Sequence, residues 1–208
     1  MPFPFIYLAS QSPRRAQLLD LLGVAYRPLL ADPGEDAEAL EAERADELPL
    51  HYVQRVTAAK LRAAHQRRLQ RALAPAPILC ADTTVALGRR ILGKPADAAH
   101  ARSMLQALSG RSHRVLTCVA VNRPAAGAAT RQLRLTCISK VRFAPLSATT
   151  IDRYVATGEP FGKAGAYAIQ GALAGCIEHI AGSHSGIMGL PMFEAATLLR
   201  RCGVVMAL

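Results

Sequence analysis

Tryptophan is absent from this 208-residue chain, and Phe and Tyr supply five residues each. Its core must therefore be aliphatic, and a hydrophobic fraction of 51% is enough to build one. No apolar run approaches the roughly 18 to 20 residues of a membrane span, so no spanning helix is expected. The opening M-P-F-P-F-I-Y has no basic n-region, and no signal peptide is expected either. Cysteine is sparse and irregular. Cys80, Cys118, Cys137, Cys176 and Cys202 are odd in number and contain no C-x-x-C pair. That pattern argues against zinc or a disulfide framework, and for buried thiols in a reducing, cytoplasmic setting. The six histidines are scattered, and His179 and His184, across a Gly-Ser turn, are poorly spaced for a metal. Three well-known signatures are also missing: the Walker A loop, a G-x-G-x-x-G after a strand, and G-x-S-x-G. P-loop, Rossmann and Ser-His-Asp chemistry thus have no footing.

Negative charge is scarce over most of the chain. Eight of the fifteen carboxylates fall between Asp32 and Glu47, while all but one of the 25 Lys and Arg lie elsewhere, and the net charge is +10. Such a surface attracts anions: nucleotides, phosphates, nucleic acid or acidic head groups. Charge alone does not choose among them.

The hydrophobic pattern predicts alternating strands and helices with hairpins intruding, hence α/β with a mixed sheet. Strands are expected at 5–9, 26–30, 78–81, 115–121, 133–143, 167–170 and 176–180, with a hairpin element over 85–92 through Gly88 and a turn over 124–127. Helices are expected from Ser12 to Gly23, over 50–73, from Asp97 to Gly110, from Ser147 to Gly158 and from Pro191 to Gly203. Residues 31–48 read as an acidic loop or short helical insertion. One detail is odd. Ser12 and Pro13 open a helix well, but Arg14 and Arg15 then sit in its first turn, where cations oppose the helix dipole.

Polar residues gather where strands are predicted to end. Ser10, Ser12, Arg14 and Arg15 could bind phosphate at a helix start, or be a capped surface turn. Asp82 follows I-L-C-A and should sit at the lip of a buried strand, able to hold Mg²⁺, to act as general base on water, or simply to cap a turn. I-L-G-K-P presents Lys94 as a point charge. G-E-P-F-G-K-A-G-A-Y-A-I-Q-G carries four glycines, Lys163, and Gln170 at the end of an apolar run, where an amide can pair with a base edge. G-S-H-S-G-I-M-G-L-P is a small-residue loop before the last helix.

Together L-A-S-Q-S-P-R-R-A-Q-L-L, A-D-T-T-V, I-L-G-K-P, L-S-G-R-S-H-R-V, Y-V-A-T-G-E-P, G-K-A-G-A-Y-A-I-Q-G and G-L-P-M-F-E resemble the Maf family of nucleoside triphosphate pyrophosphatases, in order, from about residue 5 to about residue 203. The resemblance implies a Maf/Ham1-like α/β fold, a single domain over 1–208 with two lobes around a long twisted mixed sheet and a cleft between them. It implies hydrolysis to the monophosphate and pyrophosphate with a divalent metal, Mg²⁺ or Mn²⁺, and a homodimer. By motif, Asp82 would activate water or hold the metal, and Lys60 and Lys94 would contact phosphate. Ser10 and Arg15 would build the phosphate loop. Arg14, Thr83 and Gln170 resemble the specificity trio of the dTTP/UTP branch, which differs at these positions from the 7-methyl-GTP branch. Counted from Gly23-Val24, Glu35 of the pair Glu35-Asp36 matches the family's functional glutamate and a second metal ligand; the acidic residues 37–47 are extra. The competing readings are a 7-methyl-GTP pyrophosphatase of the same family and a non-catalytic nucleic-acid-binding or cell-division regulatory protein on the same fold. The basic residues lack interleaved aromatics, and no nucleic-acid module is recognised.

Overall fold

Two long strands, over 78–87 and 112–124, are buried on both faces and organise the molecule. A computed structural model describes residues 2–32, 34–35, 39–124 and 130–207. The strands are β1 (Ile6–Leu8), β2 (Tyr26–Pro28), β3 (Ile78–Leu87), β4 (Arg90–Leu92), β5 (Ser112–Pro124), β6 (Thr130–Phe143) and β7 (Ile177–Ala181). They form one seven-stranded mixed sheet in the order β2–β1–β3–β5–β6–β7, with β4 also on β3. The β2–β1–β3 part is parallel and the remainder antiparallel. The expected two-lobed α/β architecture is present. The middle of the expected turn, residues 125–127, lies outside the described residues, as do Asp36 and residues 37 and 38.

The helices are α1 (Pro13–Leu21), α2 (Pro49–Gln70), α3 (Ala98–Leu108), α4 (Ala148–Ala156), α5 (His184–Met188) and α6 (Met192–Cys202). Side chains alternate across a strand, so β3 serves both faces of the sheet. Leu79 and Ala81 pack with Leu18 and Leu19 of α1 and with Ala195, Leu198 and Leu199 of α6. Ile78 and Cys80 pack on the other face with Leu61 and Ala64 of α2. Beyond them α3 and α4 cover Val115, Val141 and Phe143 at the far end of the β5–β6 hairpin and form the second lobe.

Two expectations are corrected. First, β3 does not stop at Ala81. T-T-V-A-L continues the pattern, and β5 pairs with β3 from Ile78 to Ala86, so Asp82 and Thr83 are mid-strand. Second, 167–170 is not a strand. Gly165 and Ala166 before it have φ of 69° and 60°, which turn the chain out of extended geometry. Tyr167 and Ile169 are apolar because they anchor this loop in the second core.

Candidate active site

The break in one edge of β3 makes the site. On that edge β1 pairs only as far as Leu79, and β4 begins at Val85. Among the described residues no strand lies beside 80–84 there, and a cleft of about 510 Å³ opens against Ala81–Val85, the start of α1, α2 and the loop 161–170. Openings at the carboxyl ends of parallel strands are the usual ligand crevices of such sheets.

Alternation then decides which way each residue of A-D-T-T faces. Asp82, on the same face as Ile78 and Cys80, meets α2. Lys60 donates to its Oδ1 at 2.6 Å and to Glu41 Oε1 at 2.7 Å. Lys94 reaches the other oxygen of Glu41 at 2.9 Å. Glu41 closes a short 3₁₀ turn, Ala39–Glu41. Burial is the largest influence on Asp82 and raises its carboxyl pKa, while Lys60 and Arg15 limit the rise. Burial acts against charge on Lys60 too, but Asp82 and Glu41 outweigh it and hold the ammonium above its usual value. Burial would raise Glu41 likewise, yet Lys60 and Lys94 bring it below the ordinary carboxylate range. Carboxyl and ammonium groups start about six pKa units apart, so at neutral pH the shared proton stays on the lysine.

Thr83 faces the opposite way, toward α5. Its Oγ1 lies 2.9 Å from Thr117 Oγ1, and Thr117 donates to Gly186 O at 2.7 Å. With the Thr117 proton so committed, the Thr83 hydroxyl donates to Thr117 and keeps its lone pairs for an incoming donor.

The two arginines of α1 differ. Arg15 donates through Nε to Gly189 O at 2.8 Å and through Nη1 to Ser10 Oγ at 2.9 Å. Ser10 Oγ also accepts from Ser12 N at 3.2 Å, while the Ser12 side chain makes no capping bond. Burial, and after it the neighbouring Arg14, lower the Arg15 pKa against the pull of Asp82. Arg14 has no hydrogen bond or ion pair among the described residues, yet it lines the cleft. A cation pair is thus aimed into the cleft at a helix start, an arrangement suited to an anion.

The rim opposite is the 158–171 loop. Glu159 braces it: Tyr154 Oη donates to Oε1 at 3.0 Å, Ala172 N donates to Oε2 at 3.1 Å, and Lys163 Nζ donates to the Glu159 carbonyl. A Cβ on Gly171 would lie 1.7 Å from Glu159 Oε1, so only glycine lets the carboxylate close over this turn. Gln170 is left exposed on the cleft wall. Gly165 N donates to Gly93 O at 3.0 Å, tying the loop to the Lys94 turn.

The structure therefore gathers Ser10, Arg14, Arg15, Lys60, Asp82, Thr83, Lys94 and Gln170 around one cleft. It does not bring Glu35 there. Both Glu35 oxygens accept from Arg67, Nε at 2.7 Å and Nη2 at 2.5 Å, and Arg67 Nη1 bonds Leu29 O at 2.9 Å. These bonds pull the Glu35 pKa down to about 2. Glu41 occupies the place expected for Glu35. Eight carboxylates crowded into residues 32–47 offer no periodicity by which the sequence could single it out.

Among the described residues no group of three or more His, Cys, Asp or Glu side chains gathers as a metal cage. The site instead offers two carboxylates converging on one ammonium, with Asp82 Oδ2 free of protein partners among the described residues. Two carboxylates fit a Mg²⁺-type ion that completes its shell with water and phosphate oxygens.

The family model described as Maf-like protein matches residues 5–202. A dTTP/UTP pyrophosphatase of Polaromonas sp. (strain JS666) is 60% identical over 200 residues, 96% of each chain. One from Cupriavidus metallidurans is 60% identical over 199 residues, covering 96% of this chain and 97% of its own. A solved structure of a HAM1 protein from Coxiella burnetii shares the fold, with a TM-score of 0.50 at 17% identity over 95% of this chain and 99% of that one.

Proposed function

This chain belongs to the Maf-like protein family, and from that premise we propose that it hydrolyses dTTP and UTP to the monophosphate and pyrophosphate. The observation that carries the proposal is Lys60 held between Asp82 and Glu41, with Lys94, Arg14 and Arg15 around the same cleft. A triphosphate is the anion that this many fixed cations suit, and charge grows on its leaving pyrophosphate.

In this reading the triphosphate lies against Lys60, Lys94, Arg15 and the α1 start. Asp82 orients water toward the α-phosphorus and accepts its proton; the burial that raises its pKa makes it a better base. The α–β phosphoanhydride bond breaks and pyrophosphate leaves, with no covalent enzyme intermediate. A divalent cation, Mg²⁺ or Mn²⁺, would be held by Asp82 and Glu41 and would supply charge neutralisation at the phosphate oxygens. Arg14, Gln170 and the lone pairs of Thr83 would meet the nucleoside.

The supporting test is pyrophosphate release over a panel of dTTP, UTP, CTP, ATP, GTP and 7-methyl-GTP, with Asp82→Asn as control. Turnover of dTTP and UTP that is lost in the variant is expected. Preference for 7-methyl-GTP overturns the assignment of Arg14, Thr83 and Gln170, and no turnover overturns the enzyme. We further propose a cytoplasmic setting, with which five free thiols are consistent, and a homodimer, which light scattering checks. Among the described residues no helix is long and apolar enough to cross a membrane.

A further inference from the structure

Three consecutive carbonyls beside the site, those of Leu40, Glu41 and Ala42, are all taken by α2. Arg55 Nη1 donates to Leu40 O at 3.5 Å, Tyr52 Oη to Glu41 O at 2.8 Å, and Arg55 Nη2 to Ala42 O at 2.8 Å. Glu47, further along the same acidic stretch, grips the other side of the guanidinium. Its two oxygens accept from Arg55 Nε and Nη2, each at 2.6 Å. The guanidinium carbon stands 5.5 Å from the Tyr52 ring centroid.

A three-residue 3₁₀ turn set in coil has no repeating bonds to fix it. Tyr52 and Lys60 lie on one face of α2, two steps of four apart. The helix that carries Lys60 therefore also sets the height at which Glu41 meets it. From this geometry we propose that Arg55 is a positioning residue for Glu41, with Tyr52 and Glu47 completing a clamp that holds the carboxylate between Lys60 and Lys94. The planar fork of arginine is needed: it bonds two carbonyls and a carboxylate at once, which a lysine cannot. The inference rests on the proposed function in taking Glu41 as a working carboxylate.

The test is a double-mutant cycle of wild type, Arg55→Gln, Glu41→Gln and the double variant. It has two readouts: dTTP turnover with Mg²⁺, and metal-free affinity for α,β-imido-dTTP. Residues that orient a working ligand are commonly worth about 10- to 100-fold, so Arg55→Gln should lower kcat by about tenfold or more with KM nearly unchanged. Glu41 also shields Lys60 and Lys94, so Arg55→Gln and Glu41→Gln should each tighten metal-free analogue binding. In both readouts the double variant should match Glu41→Gln alone. Tyr52→Phe, which deletes one hydroxyl, should shift both quantities the same way by less. An Arg55→Gln effect that persists in full without the Glu41 carboxylate overturns the clamp. So does a lowered melting temperature with unchanged kcat and analogue affinity. If wild type neither turns over dTTP nor binds the analogue, it is the proposed function that fails.

Discussion

Arg14 and Arg15 are adjacent, alike in chemistry and opposite in burden. Arg15 is built into the fold through Gly189 O and Ser10 Oγ, whereas Arg14 has no partner among the described residues. Removing Arg14 should therefore weaken nucleotide binding by about tenfold or more, the worth of a charge-assisted bond, and leave stability within about 0.5 kcal/mol. Arg15→Ala should raise KM and also lower the melting temperature, because it strands the Gly189 carbonyl. Titration and thermal melts of the two variants separate these outcomes. The carboxylates divide in the same way. Glu41→Gln should lower kcat far more than Glu35→Gln, because Glu41 lines the cleft while Glu35 lies outside its lining, paired with Arg67. Asp82 must be ionised to accept a proton, and burial raises its pKa. The acid limb of kcat/KM should thus lie above the ~3.9 of free aspartate. Lys60→Met removes an ammonium that lowers that pKa, so in the residual activity the limb should move to still higher pH.

At the scale of elements, two backbone positions can be tested directly. The C-terminus of α2 closes with Leu73 N on Arg68 O at 3.0 Å and Ala72 N on Leu69 O at 2.9 Å. That closure calls for a left-handed residue, and Ala72 fills it at φ 47° where glycine would be unstrained. Ala72→Gly should stabilise the protein by about 1 kcal/mol, read as a rise of about 2 to 4 °C in Tm. Gly165→Ala should do the reverse, since a Cβ there would meet the Val85 side chain at 2.9 Å at a φ of 69°. A hydrogen-exchange comparison should show the 161–170 rim loosened. These elements also mark how far the sequence could be read. α1, α3 and α4 were visible from their caps and stopping glycines, β5 from its apolar run, and β6 from the alternation of Leu133, Leu135, Cys137, Val141 and Phe143. The extension of β3 through Asp82 was not, because a polar A-D-T-T looks like a strand end until β5 is seen beside it. The apolar run at 167–170 was misleading because burial in a core and pairing in a sheet leave the same apolar signature. Of the site, the cations and Asp82 were legible from their motifs. Glu41 was not, since only the fold shows which of eight crowded carboxylates reaches Lys60.

For the whole molecule, the sign and placement of charge set how it meets its ligand. A net charge of +10 and a cleft walled by Arg14, Arg15, Lys60 and Lys94 should draw polyanions in from a distance. Such steering weakens as salt shortens the Debye length from about 10 Å at 0.1 M to about 3 Å at 1 M. KM for dTTP should therefore climb with ionic strength, while kcat, set within the cleft, changes little. The site of water attack defines the reaction. The most direct test is hydrolysis of dTTP in ¹⁸O-water by the wild-type protein, with both products examined by mass spectrometry. Attack at the α-phosphorus predicts one ¹⁸O in dTMP and none in pyrophosphate, with both products lost in Asp82→Asn. Label in pyrophosphate or in free phosphate, or labelled dTMP formed undiminished by Asp82→Asn, would contradict it.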